Sequence, residues 1–392
     1  MIPWRFILFG LGLALAVYLH FFFAHRQWRR LKGKHSFEID VDYIRMENFI
    51  PQSFRLKVKE WLQLPDVTEA GAGERIIRKG KEEISVTGPL VVEEGERSNQ
   101  ILIVEGDFKC GPECEFDKEI YVEGDARIGR ETSLQSLAAD GSLVLEDGVS
   151  VARWIDSAGE MVIGSGCRAV ARITSQTAIR LGKGTKALSV FAREVSTPGW
   201  QDRPGNPPAP DLETLLEVPS PEGGSMPAEV AQKAGLDAVL FTTLGSESWR
   251  YAGDFEPSVP LRIKGNLIVK GHCRLSEGSV VEGNLKTAKW LVVGARSVCE
   301  GSVVAGGDLC IGPACVLRGV THAGGSVLVR SGVRARRDGA LTVLYSGEQL
   351  LVETDVFIAG KLAAAGGVLV ADPDEGEKWI EKRQRHSVQF RV

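Results

Sequence analysis

His272 and His322 are the side chains of this 392-residue chain best suited to proton transfer. Imidazole titrates near neutral pH and is a common general base toward a hydroxyl or amine. Both lie inside repeated segments, where the plainer expectation is an outward-facing residue without a catalytic partner. Glu105 and Asp107 recur as Glu123 and Asp125, and stacked pairs of this kind would suit acid/base work or a cation site. The repetition alone accounts for the duplication, so solvated corner residues are expected. Cys110 and Cys114, like Cys310 and Cys315, lack the C-x-x-C spacing of a metal or redox pair and read as small inward core residues. Gly182-Lys183-Gly184-Thr185 lacks the first Gly and the spacing of a Walker-type phosphate loop and reads as a turn. No catalytic, cofactor-binding or metal-ligating residue is assigned. Neither an enzyme nor a small-molecule substrate is expected.

The composition is that of an ordinary globular chain, with 43% hydrophobic and 25% charged residues, and a net charge of −4 gives no electrostatic reason to bind nucleic acid. Its unusual features are 45 Gly and only 7% aromatics, which favour many tight turns and thin packing layers over large helices. Seven Cys, an odd and scattered set, point to a reducing compartment. The run Phe6 to Ala24 is apolar over 19 residues and long enough to cross a bilayer once as a helix. Phe6, Ile7, Leu8, Phe9, Leu11, Leu13, Leu15, Val17, Leu19, Phe21, Phe22 and Phe23 are its anchor side chains. Arg26, Arg29, Arg30, Lys32 and Lys34 crowd behind it, suited to anionic headgroups and to keeping residues 26–392 on the cytoplasmic side. Residues 1–34 are therefore read as a single-pass anchor with a basic flank.

Residues 35–87 read as a juxtamembrane segment and connector. Phe37, Ile39, Val41 and Tyr43 alternate like a strand, and Phe54, Val58, Trp61 and Leu62 have the spacing of a short amphipathic helix. Beyond Gly88 a repeat takes over: Gly106, Gly124, Gly141 and Gly159 follow at steps of 18, 17 and 18. Gly265-Asn266-Leu267 likewise returns as Gly283-Asn284-Leu285, and Val293-Gly294 as Ile311-Gly312. Three six-residue sides per turn, each a short strand with inward Val, Leu, Ile, Ala or Cys and a small residue at the corner, make a triangular single-stranded β-solenoid. This all-β fold is expected in two parts, 88–195 and 261–371, as a rod of roughly ten rungs about 50 Å long. Its end rungs would be templates that must be capped or used for assembly. Residues 196–260 hold ten of the 17 prolines and read as an inserted loop, with a short helix near Pro227–Gly235. In the charged tail 372–392, Val388, Phe390 and Val392 alternate as a capping strand would.

With GNLIVKGHCRLSEGSVVEGNL, WLVVGARSVCEGSVVAGGDLCIG and GSVLVRSGVRAR aligned, the chain resembles the bactofilins, the polymer-forming cytoskeletal proteins of bacteria. The resemblance covers Gly88–Lys186 and Leu261–Ala371. It implies a right-handed β-helix that forms a homo-polymer end to end without nucleotide or other cofactor. It further implies a scaffold at the bacterial inner membrane for partners such as envelope-building enzymes. The insert and the apolar N-terminal run depart from the family's usual plan. Two alternatives are a membrane-bound acyltransferase of the hexapeptide-repeat type, whose pattern Ile311–Val316 and Val293–Val298 also fit, and a non-polymerising solenoid adaptor whose Pro-rich insert and C-terminal tail bind partners or cover an end rung.

Overall fold

The structure is a computed structural model that describes residues 49–386 apart from 65–66, 72–73, 80–81, 201–209, 222–223 and 338. The apolar run Phe6–Ala24, its basic flank Arg26–Lys34, the 37–43 alternation and the proposed capping residues Val388, Phe390 and Val392 lie outside the described residues. Among the described residues no helix is long and apolar enough to cross a membrane.

From Glu82 onward the strands within each run of turns lie parallel to the strand one turn later, because a step of about 18 residues returns each inward side chain above its predecessor. Leu90 pairs with Phe108, then Ala126, Leu143, Met161 and Ile179. A second column runs from Cys273 through Leu291, Leu309, Val327 and Leu350 to Val368. These columns, from Phe108 and from Cys273 onward, fill one continuous narrow core. The whole is a β-solenoid of about 15 turns, more than the ten the spacing suggested. At a recurring corner the backbone turns through the left-handed region, with Gly at 95, 148, 166, 184, 278 and 332 and non-Gly residues at Glu113, Glu131, Arg296, Ala314 and Asp355.

The stack is not one rod wound in one direction. Residues 82–196 form a first arm and residues 216–371 a second. The last strand of the first arm, Lys186–Ser196, lies antiparallel along the last strand of the second, Phe357–Ala371. Ala187 faces Val368, Val190 faces Leu362 and Val195 faces Ile358, so a complete turn of one arm sits on a complete turn of the other. The segment read as an inserted loop makes this possible by carrying the chain to the far end of the second arm, which then winds back.

That segment also builds the second arm's first turn. Leu216–Val218 pairs with Leu261–Ile263, and Ser248–Tyr251 pairs with Asn266–Val269. Over this turn sit the short helix Ala228–Lys233 and an antiparallel strand, Phe241–Thr243. Phe241, Trp249, Tyr251 and Phe255 pack edge to face with centroids 4.8–6.2 Å apart, and the Trp249 indole donates to Pro219 O at 2.8 Å. A chain poor in aromatics has gathered four of them to seal the end of its core.

The stretch read as a connector is also ordered. Val67–Gly71, Glu74–Lys79 and Glu82–Thr87 form an antiparallel three-strand edge on the first arm. Only Glu82–Thr87 joins the solenoid, alongside Ile101–Val104.

Two helices lie against the outside of the stack. The N-terminal helix Phe49–Trp61 buries Phe54, Val58 and Trp61, as the spacing predicts, against Ile84, Ile101, Ile103 and Trp154. Within the segment read as a charged tail, Pro373–His386 forms a helix and buries Trp379 and Ile380 against Trp290, Val292, Cys310 and Leu328. Each buried large side chain is worth about 1.5–3 kcal/mol. The strands beneath are apolar at successive positions, ILIV at 101–104 and LCI and VLV at 309–311 and 327–329, so their outward side chains also require cover.

Candidate functional site

The two histidines are not brought together. His322 is exposed on the outside of the second arm with its ring stacked on Tyr345, centroids 5.2 Å apart. His272 lies about three rungs, or on the order of 14 Å, away. Its ring stacks on Trp290 at 4.5 Å and its backbone amide donates to Asp254 Oδ1 at 2.8 Å.

The repeated acids have a structural job that the repeat alone did not reveal. Asp107 Oδ1 accepts from the backbone amide of Asp125 at 2.9 Å, and Asp125 Oδ1 in turn accepts from Ser142 at 2.7 Å. Asp147, Asp254, Asn266, Asn284 and Asp308 do the same for the next turn. These side chains are rung-to-rung fasteners at the corners, where the strand ladder lapses. Solvated corner carboxylates are thus an incomplete description. Glu105 pairs with Arg75 at 2.5 Å.

All seven cysteines are free and buried. Six point into the solenoid core, whereas Cys310 faces outward beneath the C-terminal helix. Burial pushes the Cys110 and Cys167 thiols up to about 11 and those of Cys299 and Cys310 to about 12, which suppresses the thiolate that metal binding or nucleophilic attack requires. Among the described residues no group of three His, Cys, Asp or Glu side chains is arranged to hold a metal.

The clustered ionic contacts belong to the two helices. Arg55 Nε meets Asp140 Oδ1 at 2.6 Å, Nη1 meets Asp156 Oδ2 at 2.5 Å, and Nη2 donates to Ala139 O at 2.8 Å. The Tyr121 hydroxyl donates to Asp140 Oδ2, and Thr174 Oγ1 to Asp156. Asp156 is fully buried, and burial raises its pKa against the pull of Arg55. At the other helix, Arg330 Nε lies 2.7 Å from Glu353 Oε1 and Nη2 2.7 Å from Glu377, while Ser331 donates to Glu353 through both amide and hydroxyl. Each helix is thus fastened to the stack by a partly buried arginine, one supplied by the helix and one by the solenoid.

The remaining features of functional interest are the ends of the two arms. At the antiparallel seam, Trp200 stacks on Phe357 at 5.1 Å with the Arg334 guanidinium 4.8 Å from its ring, beside an open pocket of about 340 Å³. At the start of the first arm, Leu90–Val92 and Arg97–Ser98 each have a strand partner on one side only among the described residues. Leu90 N donates to Asp107 O and Val92 O accepts from Gly111 N, so the strand's alternation leaves the Val91 amide facing the unpaired edge.

No family model matches the chain, and no curated protein or solved structure matches it either.

Proposed function

We propose that the chain is a non-catalytic β-solenoid scaffold of bactofilin-like type, tethered to the bacterial inner membrane through Phe6–Ala24 and serving to position partner proteins on its cytoplasmic side. The observation that carries this reading is the seam, in which a whole terminal turn of one arm is bound by a whole terminal turn of the other. End-on pairing of turns is therefore a contact this sequence already makes. The far end of the second arm is covered by the helix Ala228–Lys233 and the strand Phe241–Thr243, which among the described residues leaves the Leu90–Val92 edge for contact between chains. One such edge among the described residues supports a closed pair rather than an open filament, because filament growth needs two joinable ends.

Sedimentation velocity and negative-stain electron microscopy of the full-length chain in non-ionic detergent, without nucleotide, test the proposal. Two-chain particles are expected, with single chains for Val91→Pro, which removes the edge-facing donor without touching the Leu90 bond. Long filaments would overturn the closed pair in favour of polymerisation. Single chains for both proteins would overturn self-association.

A further inference from the structure

The outer face of the second arm carries one column of side chains in direct register: Arg250, Ile268, Lys286, Val304, His322 and Tyr345. It contains two permanent cations and a histidine, and no carboxylate. Elsewhere on this arm four basic side chains are matched: Lys264 with Glu217, Arg262 with Glu282, Arg296 with Glu277 and Arg318 with Glu300.

Where the column begins, Arg250, Lys270 and Lys286 line an open pocket of about 280 Å³ whose remaining walls come from Leu244, Ile268, Val269 and Ala288. Lys270 and Lys286 are exposed, while the Arg250 Nε is buried and has no hydrogen-bond acceptor. A buried guanidinium donor without an acceptor is costly to leave unmade. Parallel turns are about 4.8 Å apart, so Arg250 and Lys286, two turns apart, stand roughly 10 Å from each other with the pocket between them.

We propose that this pocket binds a phosphate group carried on a molecule with an apolar portion. The two flanking cations and Lys270 supply charge and N–H donors to the phosphate oxygens, and Arg250 gains the acceptor it lacks. The apolar wall takes the adjoining hydrocarbon. A phospholipid headgroup and a soluble phosphate ester share this chemistry.

Isothermal titration calorimetry on the full-length chain in non-ionic detergent tests it with three probes: inorganic pyrophosphate, dihexanoyl phosphatidylglycerol and the zwitterionic dihexanoyl phosphatidylcholine. Saturable binding of at least one anionic probe is expected, falling with added salt, and weakened at least about ten-fold by the double substitution Lys270→Glu and Lys286→Glu. The two lysines are exposed, so the fold should tolerate the exchange, and the double arginine variant should retain the affinity. Tighter binding of phosphatidylglycerol than of pyrophosphate identifies a lipid headgroup as the source, and the reverse order, from a probe without hydrocarbon, would overturn the apolar carrier. Absence of saturable binding, equal binding of phosphatidylcholine, or unchanged affinity in the glutamate variant would each overturn the proposal.

Discussion

Replacing Arg55 by Met should loosen the N-terminal helix from the solenoid far more than the loss of one surface ion pair would. Arg55 retains 13% of its side-chain exposure and Asp156 none, so the substitution strands a carboxylate that the fold holds away from water. Removing one partner of a buried pair costs about 3–5 kcal/mol, against 0–1 for an exposed pair. The helix is also held by Phe54, Val58 and Trp61, together worth roughly 5–9 kcal/mol of burial, so it should remain docked in most molecules while opening more often. The amide protection of residues 54–61 should fall roughly 10²- to 10⁴-fold, while protection inside the solenoid core stays unchanged. Hydrogen exchange followed by mass spectrometry reads both regions in one experiment. The defect should also depend on pH: a buried carboxylate without its counterion has a raised folded-state pKa, so the variant's helix should hold best in acid and loosen as pH rises toward neutrality. Adding Asp156→Asn to Arg55→Met removes the stranded charge and should recover most of the protection. A single variant losing less than ten-fold in protection, or a double variant no better than the single, would refute the argument that Asp156 needs Arg55.

Two further predictions concern the solenoid itself. The seven buried thiols should be inert to an aromatic disulfide reagent at pH 8 and all react on unfolding in guanidinium. Because burial raises the thiol pKa values of Cys110, Cys167, Cys299 and Cys310 above the ordinary 9.0, their contribution to stability is complete below pH 9 and should decline as pH climbs toward 11–12, as denaturation midpoints will show. Ala314 and Gly332 occupy equivalent corners at φ of 56° and 77°, yet substitutions there should act in opposite directions. Ala314→Gly relieves about 1–2 kcal/mol of left-handed strain for about 0.4–1 of chain entropy, and should raise the thermal midpoint slightly. Gly332→Ala adds that strain and brings a Cβ within 3.3 Å of the Ala314 backbone, and should lower it.

The turn of the solenoid was legible because an 18-residue period writes itself into every rung, through Leu267, Leu285 and Val303 in one column and the glycines in another. The helix at 49–61 was legible from Phe54, Val58 and Trp61. Direction was not, because a rung wound up the stack and one wound down it share the same local pattern, and only the pairing of Lys186–Ser196 with Phe357–Ala371 distinguishes them. Two signals in the sequence could have said more. Trp249 and Tyr251 lie one period before Leu267 and Val269, which marks the Pro-rich stretch as part of the solenoid. Strands such as LCI at 309–311, apolar on both faces, call for an outer layer, which the helix with Trp379 and Ile380 supplies. The pocket around Arg250 was invisible for a related reason: its three cations come from different turns, and only stacking places them around one space.

The seam also sets the order of events during synthesis. Each arm is built from contacts about 18 residues apart and can close as it is made, but the seam joins segments more than 160 residues apart in the chain and must wait for both. At roughly 5–20 residues per second, the final turn of the first arm stands bare for something like ten to thirty-five seconds before its mate is translated. During that interval its exposed strand edge is as ready for the same turn of a neighbouring nascent chain as for its own. Exchange of arms between chains is thus a hazard built into the topology, and slow translation or a crowded polysome would increase it.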